Sequence, residues 1–191
     1  IADEVITGFG RTGKWFAMEH WGIDGDIMSI GKAITAGYFP LGVSTVSTKV
    51  HDALSQYVHV QTYNGHPGGC AAALETIAML EEGDLLTSAA ENGAYFLERM
   101  QRLRELPIVG DVRGLGMWTC VDFTTDKKTK APFKDDTVKA IANRMAELGV
   151  LGGEEGTAIE FAPAYTATRE QFDHCVDITE QAILEIAKGI T

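Results

Sequence analysis

Basic side chains are scarce in this sequence. Lys and Arg together number 16 against 27 Asp and Glu, a formal net charge of −11 over 191 residues. Such a surface repels phosphate backbones, so nucleic acid is excluded as a non-specific partner. Long apolar runs are missing too. None approaches the roughly 18 residues that a membrane-spanning helix needs, so no membrane partner is expected. Cysteine is rare: Cys70, Cys120 and Cys175 are the whole set. They form no C-x-x-C pair and no metal-site spacing, so no metal centre is expected. Their odd number argues against a complete disulfide framework. It fits buried, structural thiols in a reducing, cytoplasmic setting. Low-complexity segments and internal repeats of solenoid length are also absent.

The chain opens on Ile1 rather than Met, inside what reads as a strand. That points to a fragment or a processed chain. "IADEVIT" is short and rich in Ile, Ala and Val, and reads as a buried strand interrupted by Asp3 and Glu4. "DIMSIG" and "LGVSTVST" read as two further strands. "GHPGGCAAALETIAMLEEG" reads as a helix with Leu74, Ile77, Ala78 and Leu80 on one face and Gly83 at its end. "DLLTSAAENGAYFLERMQRLREL" continues as a second helix, stopped near Pro107. "VGDVRGLGMWTCVDFTT" predicts one or two strands. "DTVKAIANRMAELGV" is amphipathic, with Val138, Ile141, Met145 and Leu148 on one face. "TAIEFAPAY" is strand-like. A final helix opens on the capping-type sequence Thr168-Arg169-Glu170-Gln171. Alternating strands and helices give an α/β class. Residues 1–70 form one block of strands and glycine loops, 71–106 form connecting helices, and 107–191 form a smaller C-terminal α/β unit.

Four features could carry chemistry. Gly8, Gly10 and Gly13 match G-x-G-x-x-G after a strand, a pattern that can cradle a dinucleotide pyrophosphate. The next segment is not a convincing crossover helix, so a structural glycine loop is the better reading. Asp3 is a carboxylate in a buried-looking strand, which is costly unless paired. It is either satisfied by solvent and backbone or holds a cationic partner in a cleft. Lys32 is the only formally charged residue between Ile27 and Thr48. It is either a snorkelling lysine at a strand end or a desolvated amine able to act as nucleophile or base. In "QTYNGHPGG", Thr62 and exposed backbone N–H groups suit anion binding, while His66 reads as a structural turn residue. A buried acid, an isolated lysine and an anion-binding loop are together what a pyridoxal phosphate enzyme needs.

"DEVITGFGRTGKWFAMEHWGIDGDIMSIGKAITAGYFPLG" followed by "TYNGHPGGCAAALE" closely resembles the class III, or omega, aminotransferases of fold type I. The resemblance continues through "VGDVRGLGMW" and "KAPF" to the final helix. It implies part of a large cofactor-binding domain, with a mainly parallel sheet and flanking helices, plus a smaller C-terminal α/β domain. Pyridoxal 5'-phosphate is the implied cofactor. By the same resemblance Asp3 pairs with the pyridinium nitrogen and Val5 packs on one ring face. Lys32 forms the Schiff base and shuttles the proton. Thr62 reaches the cofactor phosphate of the other subunit in a homodimer with shared active sites, and Gln61 takes the adjacent phosphate-side position. The implied reaction moves an amino group from a primary amine or omega-amino acid to a keto acid, with pyruvate as the acceptor.

Two departures from the family pattern stand out. Its chains are about twice this long, and the missing half would supply further cofactor and substrate contacts. Many members also carry an arginine for the substrate carboxylate where this chain has Gly153, followed by Glu154 and Glu155. Without that bidentate partner, the remote group of the substrate is expected to be uncharged or cationic, or the arginine comes from elsewhere. Competing readings are an aminomutase or decarboxylase on the same scaffold, a folded but catalytically incomplete fragment, and, last, a nicotinamide-linked dehydrogenase.

Overall fold

The computed structural model describes residues 1–56 and 59–189. The chain divides into two compact units, Ile1–Ala89 and Ala90–Thr191. The boundary falls inside a helix, α3 (Leu85–Met100).

The first unit starts with β1 (Ala2–Asp3), which is much shorter than the strand expected over "IADEVIT". The ladder stops because Glu4 leaves it. Its N–H still donates to the Ser29 carbonyl at 2.9 Å, but its own carbonyl turns back to accept from the Gly8 N–H at 3.0 Å. A 3-10 helix over Ala17–Trp21 comes next, then β2 (Ile27–Ile30) and a 3-10 turn over Lys32–Thr35. After it come β3 (Val43–Val46), α1 (Thr48–Ala53) and α2 (Pro67–Glu82). The sheet order is β1-β2-β3, with β1 parallel to β2 and β3 antiparallel to it. β2 and β3 are the strands expected at "DIMSIG" and "LGVSTVST".

α2 begins and ends as its sequence dictates. Pro67 takes the first helical position, where its missing N–H costs nothing. The His66 imidazole accepts from the Gly68 N–H at 3.1 Å, and the Gly83 N–H closes the other end on the Met79 carbonyl. The buried stripe differs from expectation. Gly69, Ala73 and Leu80 face inward, whereas Leu74 is 68% exposed. Small residues at 69 and 73 let the helix backbone come close to its neighbours, and that rotates Leu74 outward.

The second unit contains a four-stranded antiparallel sheet in the order β4-β5-β7-β6. Its strands are β4 (Val109–Leu115), β5 (Trp118–Phe123), β6 (Gly153–Glu155) and β7 (Ala158–Phe161). The short exposed edge strand β6 was not expected from the sequence. β5 shows period-2 burial, with Thr119, Val121 and Phe123 inward. Ile141 and Met145 of α4 (Thr137–Glu147) and Phe172, Val176 and Ile183 of α5 (Arg169–Ala187) are buried in the same unit, where α4 packs against α5, β6 and β7. Phe96 joins Phe172 and Phe161 at centroid distances of 5.0 and 6.1 Å. α5 carries the expected reciprocal cap: Thr168 accepts from the Gln171 N–H, and the Gln171 side chain accepts from the Thr168 N–H.

The cysteines depart from the expectation of buried thiols. All three are free; Cys70 is exposed and the other two are half-buried. Burial nevertheless pushes the Cys175 thiol up to about 11. Among the described residues no helix is long and apolar enough to cross a membrane.

Candidate active site

Two neighbouring strand ends build the site. β1 and β2 run parallel, with Asp3 in register with Ser29. Asp3 is the last residue of β1, and Lys32 lies two positions beyond the end of β2. Both therefore leave the sheet at the same carboxyl edge, where open α/β sheets place their ligands. Val5 adds a third contact at this edge. A Cβ built on Gly31 would meet Val5 Cγ1 at 3.5 Å, so Val5 sits against the residue that precedes Lys32.

The backbone holds Lys32 in an unusual state. Its φ is 47°, in the left-handed region that L-residues seldom occupy. Such conformations persist where the surroundings over-determine them. Here the Ile34 N–H bonds the Gly31 carbonyl at 3.2 Å, and the Ala36 N–H bonds the Ala33 carbonyl at 3.0 Å. The buried Thr35 hydroxyl donates to the Phe39 carbonyl at 2.6 Å. Phe39 in turn stacks on His66 at 4.8 Å, and a Cβ on Gly69 would meet its ring at 3.0 Å. The first turn of α2 thus braces the lysine's turn from one side, and Val5 from the other. Lys32, Thr35, Phe39, Pro40 and Leu41 line a shallow open cleft.

Lys32 is exposed. The buried acid of the first strand is Glu4, not Asp3. Asp3 is exposed, with its carboxylate accepting from the Val5 N–H at 3.1 Å. Glu4 is 1% exposed. Its carboxylate accepts from the backbone N–H groups of Ala17 and Met18, each at 3.0 Å, and from the Thr7 hydroxyl. Side-chain alternation was the signal available: Ala2 inward, Asp3 outward, Glu4 inward.

The glycine loop is structural. The Phe9 N–H closes on the Trp15 carbonyl at 2.7 Å and the Gly13 N–H on Gly10 at 2.9 Å. The loop leads into the 3-10 helix Ala17–Trp21, which is too short to present a pyrophosphate site of the dinucleotide type. His66 is a helix cap and a stacking partner, as the turn reading expected. Gln61 and Thr62 are exposed on a turn closed by the Asn64 N–H on the Gln61 carbonyl at 3.1 Å. They do not line the Lys32 cleft; the chain links them to it through His66. In the second unit, Gly153 opens the exposed edge strand β6, in register with Glu160.

The model of the family described as "Aminotransferase class-III" matches residues 1–183. The diaminobutyrate–2-oxoglutarate transaminase of Halomonas elongata is 38% identical over 100% of this chain and 43% of its own length. The putrescine–pyruvate aminotransferase of Pseudomonas aeruginosa is 33% identical over 100% of this chain and 43% of its own. The solved structure of a thermostable (S)-enantioselective omega-transaminase from Thermomicrobium roseum superposes with a TM-score of 0.89 and 36% identity, covering 96% of this chain and 42% of that one. The chain therefore spans less than half the length of the relatives it matches.

Proposed function

The chain belongs to the class III aminotransferases, and from that premise we propose that its protein is a pyridoxal phosphate-dependent transaminase. It moves an amino group from a primary amine or omega-amino acid to a keto acid, with pyruvate as the acceptor. The observation that carries this reading is the placement of Asp3 and Lys32 at adjacent carboxyl ends of the parallel pair β1 and β2.

The residues at this edge fit the cofactor. An outward carboxylate and an outward primary amine share one edge, with an apolar side chain, Val5, beside the lysine's turn. Lys32 would hold pyridoxal phosphate covalently through Nζ, Asp3 would pair with its ring nitrogen, and Val5 would flank the ring. When bound, the cofactor supplies an electron sink for the carbanion left by deprotonation at substrate Cα. Lys32 would act as the base, its Nζ taking the proton from substrate Cα and delivering it to C4′ of the cofactor. Asp3, as an anion, favours a protonated ring nitrogen. Gln61 and Thr62, exposed on their turn, serve the cofactor phosphate of a second subunit in a homodimer. The protein works in the cytoplasm, where the thiols of Cys70, Cys120 and Cys175 stay free.

Borohydride reduction after loading with pyridoxal phosphate tests the assignment. The label should map to the peptide containing Lys32, and Lys32→Ala should lose turnover by roughly 10²–10⁴-fold. A label on another lysine, or a spectral response to NADH in its place, would sink the reading. Gly153 makes a second prediction. Restoring the guanidinium by Gly153→Arg should lower the KM for a keto acid acceptor, and an unchanged KM would remove Gly153 from substrate recognition.

A further inference from the structure

Glu4 is a buried carboxylate that the proposed chemistry does not use. We propose that Glu4 is a positioning residue for the cofactor acid Asp3, an inference that rests on Asp3 being the partner of the ring nitrogen. Among the described residues of the first unit, Glu4 is the one acid that is buried. Burying a carboxylate is costly unless donors replace its water. Three do so: the Thr7 hydroxyl and the Ala17 N–H on Oε2, and the Met18 N–H on Oε1. The first two helical residues of Ala17–Trp21 are thereby tied to the residue next to Asp3 in the chain.

The backbone of Glu4 makes the other half of the clamp. Its N–H donates to the Ser29 carbonyl at 2.9 Å, and its carbonyl accepts from Gly8 at 3.0 Å. Ser29 is the register partner of Asp3, three residues before Lys32. β1 is only two residues long, so the ladder alone gives Asp3 little orientation. The carboxylate of Asp3 is set by one local contact, the Val5 N–H, on the far side of Glu4. Residues 3, 4 and 5 are thus held as a unit by the Glu4 anchor. If that anchor loosens, Asp3 and Val5 lose their aim, although neither is altered.

Glu4→Gln tests this in the full-length, cofactor-loaded protein. It keeps the volume and one acceptor oxygen but, in either orientation, turns an NH₂ donor toward one of the two backbone N–H groups, Ala17 or Met18, that need an acceptor. Two quantities are read: the dissociation constant for pyridoxal phosphate, and the pH midpoint of the bound cofactor's visible band. Asp3→Asn is the reference. The expected result is binding weakened about tenfold, the scale of one lost charge-assisted hydrogen bond. The midpoint should move in the same sense as in Asp3→Asn. Thr7→Val, which removes one donor and keeps the shape, should move both readouts the same way by less. It decides the case if Glu4→Gln fails to fold. Wild-type affinity and midpoint in these variants, while Asp3→Asn moves both, would make Glu4 merely structural and overturn the proposal. If Asp3→Asn itself moves neither, the reading of Asp3 is wrong and the proposal falls with it.

Discussion

The two units differ in what they bury. In the second, Phe96, Met100, Phe123, Ile141, Met145, Ile159, Phe172 and Ile183 are fully enclosed. In the first, the largest side chain enclosed to that degree is the carboxylate of Glu4. Exposed large apolar groups show the opposite distribution. Tyr38, Val60 and Tyr63 of the first unit are 90%, 86% and 82% exposed, and Leu74 joins them on α2. The second unit is thus ordered by a packed core of the usual kind. The first combines a smaller set of buried apolar residues, Phe9, Ile30, Ile34 and Leu80 among them, with hydrogen bonds around Glu4, Thr35 and His66.

Substitutions can break or sharpen this contrast. The largest stability effect is expected from Phe172→Ala, which empties the stack on Phe96. Removing a buried aromatic ring should cost about 3–5 kcal/mol in urea unfolding. A loss under about 1 kcal/mol would show that the second unit is not core-dominated. Gly93→Ala comes next. A Cβ there would sit 2.2 Å from the Gly116 carbonyl carbon, which belongs to the turn between β4 and β5. Overpacking of this kind costs about 1–3 kcal/mol, read as a lower unfolding midpoint.

The third prediction concerns pH. The Tyr95 hydroxyl and then the Arg99 guanidinium hold the Asp173 carboxyl below its ordinary range. A depressed carboxylate stabilises the fold above its unfolded value of about 3.9 and loses that contribution as pH falls through its folded value. Asp173→Asn should therefore lower the unfolding midpoint at pH 7, and the gap from the wild type should close below about pH 4. A gap that persists at low pH would assign the effect to packing. The smallest effect is expected from Leu74→Ser in the first unit, within about 0.5 kcal/mol, because the side chain is already outside. A larger loss would mean that this face of α2 is covered in solution.

Much of the secondary structure was legible because its signals are local. The Thr168 and Gln171 pair, the Pro67 and Gly83 ends of α2, and the spacing of Val138, Ile141 and Met145 each declare themselves within a few residues. The misreadings each have a cause in the fold. Leu74 has the right spacing for a buried stripe, but Gly69 and Ala73 decide which side of α2 approaches Phe39. Asp3 and Glu4 are adjacent acids; alternation marks Glu4 as the inward one, but the N–H donors that satisfy it lie on Ala17 and Met18. The "IADEVIT" strand ends early because the Glu4 carbonyl turns back to the Gly8 N–H.

By itself, the sequence determined the class of elements, their order and, through long motifs, the family and its candidate residues Asp3, Val5, Lys32, Gln61 and Thr62. Periodicity and capping are properties of neighbouring residues, so a linear reading reaches them. Only the tertiary structure decided that β1 lies parallel to β2, which brings Asp3 to the edge that Lys32 occupies. It also decided the left-handed backbone of Lys32 and the burial of Glu4. Glu4 depends on N–H donors distant in the chain, and the turn of Lys32 on the packing of Phe39 against His66 and Gly69 and of Val5 against Gly31.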